Sequence, residues 1–121
     1  MARALIVDDD EPIRSMLATI VRRQGFAVET ASDGDQAIDS IEHDGFDVVL
    51  LDLMMPRVDG WAVLRYMQQY HPELVPRTII ASAVPEREAL RSIRTPVFKV
   101  HQKPFEIAQL ISDVKEAAGT P

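Results

Sequence analysis

Residues 46–56, FDVVLLDLMMP, contain the clearest indication of the fold in this chain. At the centre of this stretch, Val48 to Leu51 place four aliphatic side chains in a row without a polar break. A strand with that pattern is covered on both faces, as in a parallel sheet between two layers of helices. Pro56 prevents further strand pairing, so Asp52 is predicted to lie where a buried strand opens into a loop. Asp is a common turn residue, but this end of the strands is also where open α/β sheets bind ligands.

Strand and helix patterns alternate along the rest of the chain. Further strands are predicted at residues 4–7, 26–30, 78–81 and 97–102. The helices are predicted to begin at Pro12, after Ser32 or Asp33, near Trp61, at Pro85 and before Ile107. Their apolar residues recur at helical spacing, and Met16 and Leu90 are among those expected to face the core.

Five strands alternating with five helices predict an α/β fold: a single domain with a doubly wound, five-stranded parallel sheet. With the common flavodoxin-like strand order 2-1-3-4-5, strands one and three are neighbours where the order reverses. Asp8 and Asp9, which follow the first strand, would then lie beside Asp52. This order is an assumption, because the sequence alone does not fix it. The domain is expected to occupy residues 1–121, with 119–121 as a tail.

Composition excludes several classes of function. A chain of 121 residues, 46% of them hydrophobic, suits one compact domain. A formal net charge of −6 disfavours direct binding of nucleic acid or of an anionic membrane. The absence of cysteine excludes disulfides and thiol chemistry. With neither a secretory leader pattern nor a run of ~18 apolar residues, a cytoplasmic location is expected.

The polar residues at the strand ends predict a particular chemistry. Converging carboxylates of Asp8, Asp9 and Asp52 would repel one another unless a cation is bound, and hard oxygen ligands suit Mg²⁺. Lys103, after the fifth strand, offers an ammonium to anionic oxygens, and Ser82, after the fourth, offers a hydroxyl. Each residue has an ordinary alternative as a turn residue, a helix-start acid or a surface charge. Their coincidence at four strand ends favours a phosphoryl-accepting site.

Five short motifs carry a family resemblance. They are Leu5-Ile6-Val7-Asp8-Asp9, then Val49 to Pro56, Asp59-Gly60, Ser82-Ala83 and Lys103-Pro104-Phe105. In this order and spacing they cover essentially the whole chain, and the chain resembles the receiver domains of response regulators, the CheY-like modules of two-component signalling.

The resemblance implies a role for each acid. Asp52 would be the phosphoacceptor, receiving its phosphoryl group from a sensor histidine kinase or a phosphotransfer protein. Asp9, Asp52 and the backbone carbonyl of Met54 would bind Mg²⁺ directly, and Asp8 would act through water. The domain would be a phosphoprotein switch and not an enzyme, beyond self-phosphorylation and slow autodephosphorylation.

The resemblance also implies roles for the last two strand ends. Lys103 would pair with the phosphoryl oxygens, and the Ser82 hydroxyl would swing toward the phosphoryl group as the switch. The Lys103–Pro104 peptide bond is expected to be cis, unlike most X-Pro bonds.

Val100 departs from the family pattern. Receiver domains usually have Tyr or Phe three residues before the strand-five lysine, and rotation of that ring accompanies the Ser/Thr movement. Valine has no ring and a stiff χ1. Phe98 would lie on the same strand face but about 6.6 Å away, so it is a poor substitute. Output through loop and helix-four movement is expected instead.

Three arginines, Arg87, Arg91 and Arg94, recur at i, i+4 and i+7, and so share one face of the fourth helix. This face is either simply solvated or a docking surface for an acidic partner or a dimer mate. A solvated face is the more common case, and the docking surface is what the resemblance implies, because the helix 4–strand 5–helix 5 surface is the family's usual output surface for a downstream target.

Met54 and Val84 lie two residues beyond Asp52 and Ser82, respectively. Apolar groups there would shield an acyl phosphate from water, or would simply pack within their loops.

Other functional classes fit less well. An aspartyl phosphatase would need a second acid at the position of Met54, and a dinucleotide-binding enzyme would need clustered glycines after the first strand. The three histidines have no metal-ligand spacing. The remaining alternative is a pseudo-receiver, an interaction module that works without phosphorylation, for which Val100 is the main argument.

Overall fold

The computed structural model describes residues 1–93 and 96–119. Its single sheet has five parallel strands in the order β2-β1-β3-β4-β5, as expected. The strands are β1 (Arg3–Val7), β2 (Ala27–Ala31), β3 (Val48–Leu51), β4 (Thr78–Ser82) and β5 (Lys99–Gln102). The helices are α1 (Glu11–Arg23), α2 (Gly34–His43), α3 (Gly60–Tyr70), α4 (Glu86–Ser92) and α5 (Ile107–Ala117). A 3₁₀ helix, Pro72–Arg77, which the sequence pattern did not predict, connects α3 to β4.

Aspartate is the N-cap residue of three helices. The side chains of Asp10, Asp33 and Asp59 accept hydrogen bonds from the third residue beyond each cap, at the start of α1, α2 and α3. These bonds satisfy backbone donors that have no partner inside the helix. Each of these three strand-to-helix loops therefore ends at a fixed point close to the carboxyl edge of the sheet.

The core consists of two apolar layers, one on each face of the sheet. Alternate side chains of β1 and β3 enter opposite layers, as strand periodicity requires. Leu5 and Leu51 pack with α2, α3 and α4, whereas Ile6 and Leu50 pack with α1 and α5. All four residues of β3 are buried, which confirms the interpretation of the opening stretch. Within the described parts of the chain, the helices are too short or too polar to cross a membrane.

The prediction that Phe98 lies on the same strand face as Val100 was wrong. The fifth strand begins at Lys99 and not at Val97, and Phe98 lies in the bend before it. Side chains alternate regularly only within the extended strand. Phe98 therefore packs in the layer of α1 and α5, while Val100 packs in the opposite layer with α3 and α4. Phe98 does not substitute for an aromatic residue at position 100.

Two apolar residues expected in the core are exposed. Met16 is 41% exposed, because Leu17, Ala18 and Val21 fill the contact between α1 and the sheet. Leu90 is 56% exposed, since the seven-residue helix α4 buries only Ala89. On both helices, the apolar residues thus extend beyond the face that packs against the rest of the domain.

Gly60 is required where α3 meets the strand that carries Asp52. Its N–H donates to the carbonyl of Leu53 at 3.0 Å, and a Cβ built on it would lie 2.2 Å from the carbonyl oxygen of Asp52.

We expect Gly60→Ala to lower the free energy of unfolding by about 2 kcal/mol, because rigid backbone would have to move. Gly45→Ala is the matched control: a Cβ there has nothing within 4 Å, and the change should stay within about 0.5 kcal/mol. Urea unfolding of both variants measures the difference, and equal stabilities would contradict the close approach.

Candidate functional site

Two buried aspartates extend the central strands by one residue each. Asp8 N–H donates to the carbonyl of Ala31 at 3.1 Å, and Asp52 N–H donates to that of Val7 at 2.9 Å. The sheet's hydrogen bonding thus continues through both residues. The two residues are 1% and 3% exposed, respectively. The sheet therefore fixes the backbone from which each carboxylate projects, as the sequence predicted for adjacent strand ends.

Lys103 joins these two carboxylates. Its Nζ lies 2.8 Å from Asp8 Oδ2 and 3.3 Å from Asp52 Oδ2. The other carboxylate oxygens are bound by the backbone, since Asp10 N–H donates to Asp8 Oδ1 at 2.9 Å and Met54 N–H donates to Asp52 Oδ1 at 3.2 Å. The structure thus brings together the lysine and the acids that the sequence placed at separate strand ends.

Burial and mutual contacts set the pKa values of Asp8 and Lys103. Burial raises the pKa of Asp8 above its ordinary value, although hydrogen bonds from Lys103 and from the Asp10 backbone oppose the rise. Burial alone would lower the pKa of Lys103. Its hydrogen bond with Asp8 and the charge of Asp52 together outweigh that effect, so the pKa of Lys103 is raised. The ammonium therefore remains charged at neutral pH.

The acids fit a hard divalent cation. Carboxylate oxygens of Asp8, Asp9 and Asp52 all lie within 4.8 Å of one another, and Asp9 is exposed to solvent. One lysine cannot neutralise three carboxylates, so the cluster keeps an excess of negative charge. Carboxylate oxygens with access to water are the ligands that Mg²⁺ prefers. The Met54 carbonyl as a ligand and the water-mediated role of Asp8 remain predictions.

Ser82 and the residues beside it lie at the neighbouring strand end. Ser82 is 1% exposed, and its hydroxyl accepts a hydrogen bond from Val84 N–H at 3.4 Å. Its carbonyl accepts Lys103 N–H at 2.8 Å, and the Lys103–Pro104 peptide is cis, as expected. Of the two apolar residues that could shield an acyl phosphate or pack within their loops, Val84 is buried in the core. Met54 is 57% exposed.

The basic face of α4 is only partly as predicted. Arg87 and Arg91 flank the exposed Leu90 on the outer surface of this helix. Arg94, the third arginine of the proposed row, falls outside the described residues. Lys99, on β5, lies 3.7 Å from the buried carboxylate of Asp113 on α5 and pairs with it.

Sequence reasoning missed several contacts that position the site. Arg14 Nη1 donates to the carbonyl of Asp8 at 2.8 Å and holds the loop between β1 and α1. Arg57 Nη2 lies 2.8 Å from Asp33 Oδ2 and ties the loop after β3 to the start of α2. The first contact joins a helix to the loop before it, the second joins a loop to the start of a distant helix, and no periodic pattern in the sequence indicates either.

The comparisons with known proteins agree with this geometry. The sequence matches the response regulator receiver domain family over residues 4–115. The chain therefore belongs to the response regulator receiver domain family, the signalling domains of two-component systems.

Individual relatives support the assignment. The response regulator MprA of Mycolicibacterium vanbaalenii is 33% identical over 113 residues, which are 93% of this chain and 48% of that protein. A CheY-like receiver domain protein from Methanospirillum hungatei superimposes with a TM-score of 0.89 at 25% identity, covering 98% and 94% of the two chains. TrrA of Thermotoga maritima, solved in complex with Mg²⁺-BeF, gives 0.84 at 26% identity, covering 97% and 99%. The chain thus spans about half the length of the curated relatives that it matches.

Removing the site's lysine should destabilise the domain. Lys103→Met leaves two buried carboxylates without their cation, and we expect the free energy of unfolding to fall by about 3 kcal/mol at pH 8. The loss should be smaller at pH 5. The raised pKa of Asp8 means that the folded state takes up a proton more readily than the unfolded chain, so stability declines as pH rises through that pKa.

The control for this variant is Lys103→Arg, which keeps the charge and should lose less stability. Chemical denaturation with chelator at both pH values makes the measurement. Equal stability of Lys103→Met and the original chain at pH 8 would contradict the bridging role of the lysine.

Proposed function

We propose that this domain accepts a phosphoryl group on Asp52 from a phosphohistidine donor, and that the phosphorylated form presents a changed surface to a partner. The single observation that carries the proposal is the contact of Lys103 with two buried carboxylates, Asp8 and Asp52, at the sheet edge. A cation held against an acid that projects from a rigid strand end is the arrangement that phosphoryl transfer requires.

The chemical step uses the Asp52 carboxylate as the nucleophile. A carboxylate oxygen forms a bond to phosphorus while the phosphorus–nitrogen bond of the donor breaks, and the electron pair returns to the donor imidazole. Lys103 then pairs with the oxygens of the transferred group, since its ammonium already contacts Asp52. The Ser82 hydroxyl, one strand further along the sheet, supplies a second hydrogen-bond donor to those oxygens.

Asp9 and Asp52 would hold Mg²⁺ with the Met54 carbonyl, and Asp8 would contribute through water. When bound, this ion neutralises the negative charge that the carboxylates direct at an incoming phosphoryl group. TrrA of Thermotoga maritima, the neighbour solved in complex with Mg²⁺-BeF, supports the choice of Mg²⁺ as the ion.

The partners follow from the class of domain. The donor would be a sensor histidine kinase or a phosphotransfer protein. The downstream partner would be a protein target or a second copy that docks on α4, β5 and α5, where Arg87 and Arg91 offer positive charge beside the apolar Leu90. We propose no direct contact with nucleic acid by this domain, and no catalysis beyond its own phosphorylation and slow dephosphorylation.

Intact-mass measurement after incubation with acetyl phosphate and Mg²⁺ tests the proposed chemistry. We expect a gain of one phosphoryl group, which chelation of the metal and the Asp52→Asn variant both abolish. Asp39→Asn, on the exposed face of α2, is the matched control and should behave as the original chain does. A chain that gains no mass from acetyl phosphate or from a phosphohistidine protein would instead be a pseudo-receiver.

Met54 is expected to protect the phosphorylated state. Its side chain is exposed beside Asp52, and asparagine at this position keeps the backbone N–H that binds the Asp52 carboxylate. Met54→Asn replaces the apolar group by one that hydrogen-bonds water, so the phosphoryl group should be lost several-fold faster. The decay of phosphorylated mass after removal of the donor gives the lifetime. An unchanged or longer lifetime would reject shielding by Met54.

A further inference from the structure

Helix α4 is held at both of its ends by side chains from segments that carry the phosphorylation site. The helix has only seven residues, and its N-cap, Pro85, supplies no side-chain hydrogen bond. A helix of two turns contributes little stability by itself. Contacts from elsewhere in the fold therefore determine where α4 lies.

The first contact comes from the strand that leads to Lys103. Gln102 Oε1 accepts a hydrogen bond from Glu86 N–H, the first residue of α4, at 3.2 Å. It takes the place of the missing N-cap side chain. Gln102 directly precedes Lys103, whose Nζ binds Asp8 and Asp52 and whose N–H binds the Ser82 carbonyl. A shift of Lys103 toward a phosphoryl group would thus also move the residue that caps α4.

The second contact comes from the helix that follows Asp52. Trp61 Nε1 donates to Ser92 Oγ, the last residue of α4, at 3.1 Å. The Ser92 hydroxyl in turn donates to the carbonyl of Ala89 at 3.1 Å. Trp61 directly follows Gly60, which lies against the backbone of Asp52 with no space for a side chain. A movement of the loop after Asp52 would therefore reach the far end of α4.

We propose that Gln102 and Trp61 form two tethers that couple α4 to the phosphorylation state of Asp52, and that phosphorylation weakens both. They would provide the coupling that an aromatic residue at the position of Val100 provides elsewhere in the family. The proposal rests on the proposed function, because the signal begins at Asp52. Its consequence is a change in the outer face of α4, which carries Arg87, Leu90 and Arg91.

Hydrogen exchange of the α4 amides, residues 86–92, tests the tethers on the full chain. Trp61→Phe keeps a ring but removes the N–H donor, and Gln102→Met keeps the length but removes the acceptor. Without a phosphoryl mimic, each change should speed α4 exchange about threefold, as expected for one exposed hydrogen bond, and the two together about tenfold.

Two matched controls separate these bonds from general effects of substitution. Tyr70→Phe also removes one polar group from an aromatic side chain of α3, and Gln102→Glu keeps an acceptor oxygen at the capping position. Both should exchange as the original chain does. Addition of Mg²⁺ and beryllofluoride should speed α4 exchange in the original chain and in these controls, but only weakly in the double variant.

The coupling must also act in the reverse direction. If binding of beryllofluoride at the site weakens the two tethers, then removal of a tether raises the affinity for beryllofluoride by the same factor. Trp61→Phe and Gln102→Met should therefore each bind beryllofluoride about threefold more tightly. Unchanged α4 exchange in both variants, or unchanged beryllofluoride affinity with faster exchange, would overturn the proposal.

Failure of the proposed function would give a different result. A chain that neither gains a phosphoryl group nor binds beryllofluoride would refute phosphorylation of Asp52, and with it the coupling. The exchange rates without the mimic would still show whether the two bonds hold α4.

Discussion

The contact between the Lys103 ammonium and the carboxylates of Asp8 and Asp52 is the interaction on which the rest of the site depends. Two buried acids at the ends of adjacent strands repel each other, and the single cation that follows β5 offsets that repulsion. The sheet order β2-β1-β3-β4-β5 makes the contact possible. It places β1 and β3 side by side and leaves β5 close enough for a long side chain to reach both acids.

Most of the architecture was predictable from local patterns. The unbroken aliphatic run of β3 indicates a strand covered on both faces, and Asp residues before apolar periodicity indicate helix starts. The order of the strands was an assumption that the structure confirms. The predictions of which side chains are buried failed where burial depends on how a helix or strand packs against its neighbours. Met16 and Leu90 fit a helical stripe but lie at its edge, and the bend before β5 turns Phe98 into the other layer.

The candidate site was predictable to the level of the polar residues at its strand ends, Ser82 included, but not to the level of the contacts that hold them in place. Asp8, Asp9, Asp52 and Lys103 follow strand patterns, so parallel topology places them at one edge. The residues that hold them in place come from other elements, as Arg14 does for Asp8. The bonds of Gln102 and Trp61 to α4 likewise join distant parts of the chain. One sequence carries no pattern for such pairs, because each depends on the final packing of loops and helices.

We infer that Asp52 itself, and not a neighbouring acid, accepts the phosphoryl group. Borohydride reduction of the phosphorylated chain, followed by peptide mass mapping, identifies the acceptor, because an acyl phosphate is reduced to an alcohol at the modified residue. We expect a homoserine at position 52 in samples phosphorylated with Mg²⁺, and unmodified aspartate at positions 8 and 9. Reduction at Asp8 or Asp9, or phosphorylation confined to another residue type, would contradict it.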